Sequence, residues 1–210
     1  MCSSDLTEAS AALLGVHRLE WLGYSDSGMT GWEQNHHERA FIQAPIDEAA
    51  ERLARILREE RADVLTVYDW HGGYGHPDHI HVHRVGHRAA ELAGTPNVFE
   101  STMNRDHLVR LMRAAQQQGQ SGGDDDGFDP EGPADDGNPF GTPEAEISLR
   151  VDVSAFIDVK RASIRCHASQ ITDSGFFAQM PDDAFAMAFG AEWFIRPGAP
   201  EPLRDGWFFE

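Results

Sequence analysis

The sequence predicts an α/β domain built on a mostly parallel, doubly wound sheet with helices on both faces. Three observations carry that prediction. Short apolar, β-branched runs alternate with segments of helical spacing along most of the chain. The intervals between successive runs are long enough for right-handed helical crossovers. A loop rich in glycine and histidine stands between one such run and the next helix, where open α/β sheets place their ligands.

In chain order, Thr7 to Leu14 reads as a short helix ending at Gly15, and Arg18 to Leu22 as a strand feeding the loop Gly23 to Gly31. Residues 32–43 are polar and read as a loop or short turn. Pro45, Ile46 and Asp47 open a helix whose Ile46, Ala49, Ala50, Leu53, Ile56 and Leu57 form an apolar stripe facing a sheet. Asp47 and Glu48 near its start suit the helix dipole. Residues 63–68 are an apolar strand, and His79 to Leu92 a helix ending at Gly94. Asn97 to Met103 is the next strand and Arg105 to Ala115 the next helix, with Leu108, Val109, Leu111 and Met112 at helical spacing. Residues 116–144 are rich in Gln, Gly, Asp and Pro and are expected to form an acidic, flexible insert within a single domain covering 1–210. Ile147 to Val153 returns as a strand, and Ser154 is expected to cap a helix reaching about Ser169. Pro181 to Phe189 is a short helix, and Trp193, Phe194 and Ile195 a last strand or edge element.

Composition narrows the function classes. The 210 residues carry 35 acidic against 17 basic side chains, a net charge of −18. Nucleic acid is therefore not an expected partner, because phosphate binding needs clustered Lys and Arg. Nine of the acids lie within residues 114–149, which contain no Lys or Arg. Cys2 and Cys166 are far apart and offer neither zinc-finger nor redox spacing. Neither a spanning apolar run nor a secretory pattern is present, so a cytoplasmic protein without membrane association is expected.

The chemistry concentrates in His71, Gly72, Gly73, Tyr74, Gly75, His76, Pro77, Asp78 and His79, directly after the apolar strand. Imidazoles, a carboxylate and a phenol in such a loop can hold a metal and polarise a carbonyl. His79, His83 and His87 are spaced i, i+4, i+8 and share one helix face. The zinc-protease pattern would require Glu beside the first of a histidine pair, and that position is Ile80, so His83 and His87 read as surface or supporting residues. Asp78 can serve as a helix N-cap, Tyr74 can pack over the loop, and Asp26 can close an Asx-turn. His71 reads as a solvated loop histidine.

The run from Gly73 to His79 resembles the second motif of the PIG-L/LmbE-like zinc de-N-acetylases, including the branch that deacetylates N-acetylglucosaminyl-inositol in mycothiol metabolism. Leu14 to Val16, the stretch Trp21 to Met29, Val151 to Ser154, Lys160 and His167 to Gln170 resemble other parts of that family. The resemblance implies a Rossmann-like fold, Zn2+ as cofactor, and a small N-acetylated sugar as substrate, with a homo-oligomer possible. It implies His79 as a zinc ligand, and His76 and Tyr74 as stabilisers of the developing oxyanion. Asp78 would tune its histidine neighbour, and Asp26 would contact substrate. The family's first motif, Ala-His-Pro-Asp-Asp-Glu, is absent from the sequence. It supplies two further ligands and the general base. The expectation is thus a deacetylase domain lacking its N-terminal strand or strands, impaired in zinc binding and activity. The alternatives are a non-catalytic carbohydrate-binding remnant of the fold, or an amidase acting on thiol conjugates.

Overall fold

A computed structural model describes residues 3–117, 129–167, 180–198 and 202–209. Its longer elements, in chain order, are α1 (Ser3–Leu14), α2 (Ile46–Glu60), β1 (Val64–Tyr68), α3 (Pro77–Ala93), β2 (Asn97–Thr102), α4 (Arg105–Gln117), β3 (Leu149–Asp152), α5 (Ile157–Cys166), α6 (Asp182–Phe189), β4 (Ala191–Ile195) and β5 (Arg204–Asp205). The five strands form one open sheet in the order β1-β2-β4-β3-β5. The architecture is therefore mixed α/β. None of the described helices is long and apolar enough to cross a membrane.

The chain divides into two compact units. Leu22–Val151 with Glu192–Glu210 form one, and Met1–Trp21 with Asp152–Ala191 the other. In the first, β1 and β2 pair in parallel from Val64↔Asn97 to Tyr68↔Ser101. The crossover between them is α3, as the alternation of apolar runs predicts. β3 and β5 are also parallel, whereas β2 and β4 are antiparallel, with Glu100 opposite Ile195. β4 is thus an interior strand between β2 and β3 rather than an edge. Both of its edges are paired, and Trp193 and Phe194 are buried.

The predicted stripe of α2 holds in part: it faces helix α3 rather than a sheet, and Ile46, in the first turn, is exposed. Ala49, Ala50, Ala54 and Leu57 pack on Val85 and Ala89 of α3, and these small residues let the two helices approach closely. Gly86 lets α3 lie directly on β1, because a Cβ there would overlap the Val67 side chain. Arg18 to Leu22, by contrast, does not form a strand. Leu19 and Trp21 are exposed, so no buried face rewards pairing there. The neighbouring contact is a single bridge, Ser25↔Ala40. Residues 33–36 and 41–43 are two short 3-10 turns.

In the other unit α1 packs on α5, with the Ser10 and Ser163 hydroxyls 2.6 Å apart. Lys160 donates to the Phe189 carbonyl at the end of α6 (2.9 Å). Arg161 pairs with Asp182 (2.6 Å) and lies over the buried Phe185 ring. Ser154 makes no side-chain cap. Asp152 does so instead, its carboxylate accepting the Ser154 amide at 2.9 Å. Gln170 and the last residues of the predicted helix to Ser169 lie outside the described residues.

Candidate active site

The loop between β1 and α3 is organised by a buried carboxylate. Asp69, fully buried, follows the last residue of β1. Its Oδ1 accepts the amides of Gly73 (2.8 Å) and His71 (3.2 Å), and its Oδ2 accepts the Thr102 hydroxyl (2.5 Å). Thr102 in turn meets Thr142 at 2.8 Å. A carboxylate satisfied by three donors fixes the loop backbone where an unpaired one would be costly. Gly72 adopts φ +69°, and a Cβ there would fall 2.5 Å from that of His79, so only glycine lets the loop pass this close to α3.

Two histidines at the loop–helix junction are held in complementary tautomers by backbone groups. His79 Nδ1 lies 3.1 Å from the Gly72 carbonyl. A carbonyl only accepts, so Nδ1 carries the proton and Nε2 keeps its lone pair. Burial pushes the His79 pKa below the ordinary imidazole value, and nearby His76 adds to that; the Gly72 contact opposes it. The ring is therefore neutral at pH 7, as a metal ligand must be. His76 is the N-cap of α3, and its Nδ1 accepts the Asp78 amide at 3.1 Å. In the neutral ring Nε2 then carries the proton and is a donor. The two rings stack 4.8 Å apart, and Tyr74 meets both edge-on, at 5.2 Å from His79 and 6.1 Å from His76. Tyr68 backs the group, its ring stacked on His79 at 3.9 Å. Burial, then the neighbouring Tyr68, Asp135 and Asp26, raise the Tyr74 pKa, so its hydroxyl remains a donor.

Asp78 sits in the first turn of α3 rather than at its cap. Its Oδ2 accepts the amide of the fully buried Ser27 at 3.0 Å, tying the segment around residue 27 to the helix. Its Oδ1 is buried without a protein partner. Asp26 is exposed and accepts the Gly28 amide at 2.8 Å, an Asx-turn, while its charge is felt at Tyr74.

His71 is not solvated. It is 2 % exposed, its Nε2 donates to the Gly141 carbonyl (3.2 Å), and its Nδ1 lies 3.6 Å from Asp136. What buries it is the described part of the acidic segment. The Gly141 amide donates to the Gly73 carbonyl (2.6 Å), the Asp135 amide donates to the Tyr74 carbonyl (3.1 Å), and Phe140 stacks on Tyr74. Arg105 holds the carbonyls of Phe140 (2.8 Å) and Gly141 (2.6 Å). Residues 118–128 lie outside the described residues. Composition gave no hint of these contacts, which link positions about seventy residues apart.

Further along α3 the histidines face other partners. Buried His81 donates to the Ala44 carbonyl (3.1 Å) and sits edge-on to Phe41; burial lowers its pKa. His83 donates to the Tyr68 carbonyl (3.1 Å), and His87 to Glu100 (2.8 Å). A resident zinc takes three or four ligands. Among the described residues, His79 is not joined by two further His, Cys, Asp or Glu groups, and the one such trio is His83, His87 and Glu100.

Comparison with known proteins follows the same residues. Residues 3–90 match the family model described as GlcNAc-PI de-N-acetylase, PIG-L. A 1D-myo-inositol 2-acetamido-2-deoxy-alpha-D-glucopyranoside deacetylase of Nocardioides sp. is 36% identical over 211 residues, covering 89% of this chain and 68% of that protein. The proteins of the same name from Acidothermus cellulolyticus and Saccharomonospora viridis are each 38% identical over 213 residues. They cover 97% and 96% of this chain, and 70% and 74% of their own lengths.

Proposed function

The chain belongs to the GlcNAc-PI de-N-acetylase (PIG-L) family, and on that premise we propose that it hydrolyses the N-acetyl group of an N-acetylglucosamine-type glycoside. The N-acetylated glucopyranosyl-inositol for which its relatives are named is the first substrate to try. One observation supports the reading above the rest: Tyr74, His76 and His79 are grouped as two proton donors and one lone pair. Acyl transfer needs donors where negative charge develops on the acyl oxygen. The Tyr74 hydroxyl and His76 Nε2–H fill that role without gaining or losing a proton first.

Zinc is the metal proposed, with His79 Nε2 as a ligand; when bound it supplies carbonyl polarisation and a water of lowered pKa. The resemblance assigns the remaining ligands and the base to a first motif that this sequence does not carry, and no residue is given those roles here. Asp26 is proposed to accept hydroxyl groups of the sugar, and Asp78 to hold the Asp26 segment against α3 through Ser27. The parallel β1–α3–β2 unit supports a doubly wound, Rossmann-like parent fold. A partner of this kind is a small molecule, in keeping with the chain's net charge of −18.

The test is release of acetate and free amine from the N-acetylglucosaminyl-inositol, with and without added zinc, by the chain alone and by the chain joined to a segment that carries the first motif. Little release from the chain alone is expected, and zinc-dependent release from the joined form that is lost in His79→Ala. No release from the joined form at any zinc concentration would remove the catalytic reading.

A further inference from the structure

We propose that His83, His87 and Glu100 form a second divalent-cation site, separate from His79, which takes zinc or a similar borderline cation and clamps α3 onto β2. The ligand atoms of the three residues lie within 4.8 Å of one another. Glu100 Oε1 is 2.8 Å from His87 Nε2 and 3.6 Å from His83 Nδ1. Ligands on a tetrahedral zinc, at bond lengths near 2.1 Å, stand about 3.3 Å apart, so both Glu100 contacts lie within roughly half an ångström of that spacing, and rotation of the two part-exposed rings brings the imidazole nitrogens to it. The two histidines are one helical turn apart on the same face, with rings 4.6 Å from centre to centre. The carboxylate comes from the middle of β2 and is only 7% exposed.

The donor set selects the cation. Two imidazoles and one carboxylate suit zinc, cobalt or nickel, whereas magnesium and calcium require mostly oxygen ligands. A neutral imidazole pair with one carboxylate carries a single negative charge, which a divalent ion more than cancels. In the ion-free arrangement, imidazole protons occupy the gap: His87 N–H points at Glu100, and His83 N–H at the Tyr68 carbonyl. Ligation requires each ring to carry its proton on its other nitrogen. Both rings keep part of their surface in water (21% and 30% of the side chain), so that exchange can proceed through solvent. The site lies on the same helix face as His79, four and eight residues on, and so would fix the helix that carries His79.

The alternative is a purely structural pair, in which His87 merely neutralises a buried carboxylate. Chelator-stripped full-length protein titrated with Co2+, read by its visible absorption bands, and with Zn2+ by competition, separates the two. The variants are His79→Ala, Glu100→Gln, His83→Asn and His87→Gln, the last keeping a donor to Glu100 while removing the imidazole. His79→Ala is expected to leave one tight cobalt ion per chain. Each change in the trio is expected to weaken that ion by about tenfold or more. Saturating zinc should raise the melting temperature of His79→Ala by roughly 5–10 °C and that of His79→Ala/His87→Gln by much less. Cobalt binding abolished by His79→Ala alone, or unchanged in Glu100→Gln and His87→Gln, would overturn the proposal. So would zinc that leaves the melting temperature of His79→Ala unmoved. Far-ultraviolet circular dichroism identifies any variant that does not fold, and Glu100→Gln, nearly isosteric, then carries the test.

Discussion

At the start of α3, His76 and His79 spend one ring nitrogen each on backbone groups of their own loop and keep the other unspent beside Tyr74. A few residues later, His81, His83 and His87 spend theirs on Ala44, Tyr68 and Glu100, groups of other segments packed against the helix. The side chain is the same in both places. What differs is the partner, and the partner decides what is left over. A loop backbone supplies either an N–H or a carbonyl within two to seven residues, so it can set two neighbouring rings in opposite tautomers. A sheet supplies whatever its register presents, here a strand-end carbonyl and a carboxylate. The first turn is thereby suited to meet a substrate, and the middle to fasten the helix.

The contrast can be broken most severely at the first turn. Removing an oxyanion donor costs on the order of 10²–10³ in kcat, so Tyr74→Phe and His76→Ala are each expected to lose that much, with little change in KM. His81→Asn, in the middle, is expected to stay within a few-fold in kcat while lowering the melting temperature. Similar kcat losses at positions 76 and 81 would erase the distinction. Next in size is the anchor beneath the first turn. Asp69→Ala strands two loop amides and the Thr102 hydroxyl, and denaturant unfolding is expected to show a loss of about 3 kcal/mol. Gly72→Ala follows, at about 2 kcal/mol from unfavourable φ and the approach to His79. A neutral result there would mean that the loop has slack and that the His79 tautomer is not set by it.

The smallest effect is that of pH. Burial holds His79 and His81 below the ordinary imidazole value. As pH falls through about 6.5 the unfolded chain takes up protons that the folded chain resists, and stability falls with it. Calorimetry at pH 7.5 and 5.5 should show a lower melting temperature at the acidic value. His81→Asn should reduce the difference, because one of the two resisting groups is gone. A melting temperature that is flat or rises toward pH 5.5 would contradict the burial of these rings.

The parts legible in the sequence are those whose structure is decided locally. The stripe of α2, the run of β1 and the proline start of α3 are set by periodicity and by nearest neighbours. Tyr74, His76 and His79 are brought together because six consecutive positions around one loop and one helical turn leave them nowhere else to go. What was not legible depends on distant pairing. Arg18 to Leu22 has a strand's composition but no buried face. β4 has one, and is interior only because β3 lies on its far side. β5 spans two residues, too few for any periodicity. Asp69 and Tyr68 escaped notice as site residues for the same reason. Asp69 matters through Thr102, and Tyr68 through a stack on His79. An acidic residue at the carboxyl end of a strand, three positions ahead of a glycine pair, is the available signal for Asp69. His71 was misread because a polar residue among glycines usually faces water, and residues 136 and 141 cover it from far along the chain.

The hydrogen bond from the Gly141 amide to the Gly73 carbonyl also fixes an order of assembly. Local helices and the β1–β2 ladder can form while residue 141 is still distant, since closing a loop of that length costs entropy before any contact repays it. The wall around Tyr74 is therefore finished after α3 and the β1–β2 ladder that it covers. During refolding, recovery of the helical signal should precede recovery of whatever the Tyr74 cluster does. Synthesis on the ribosome imposes the same sequence of events, because the segment that completes the cluster emerges long after the cluster itself.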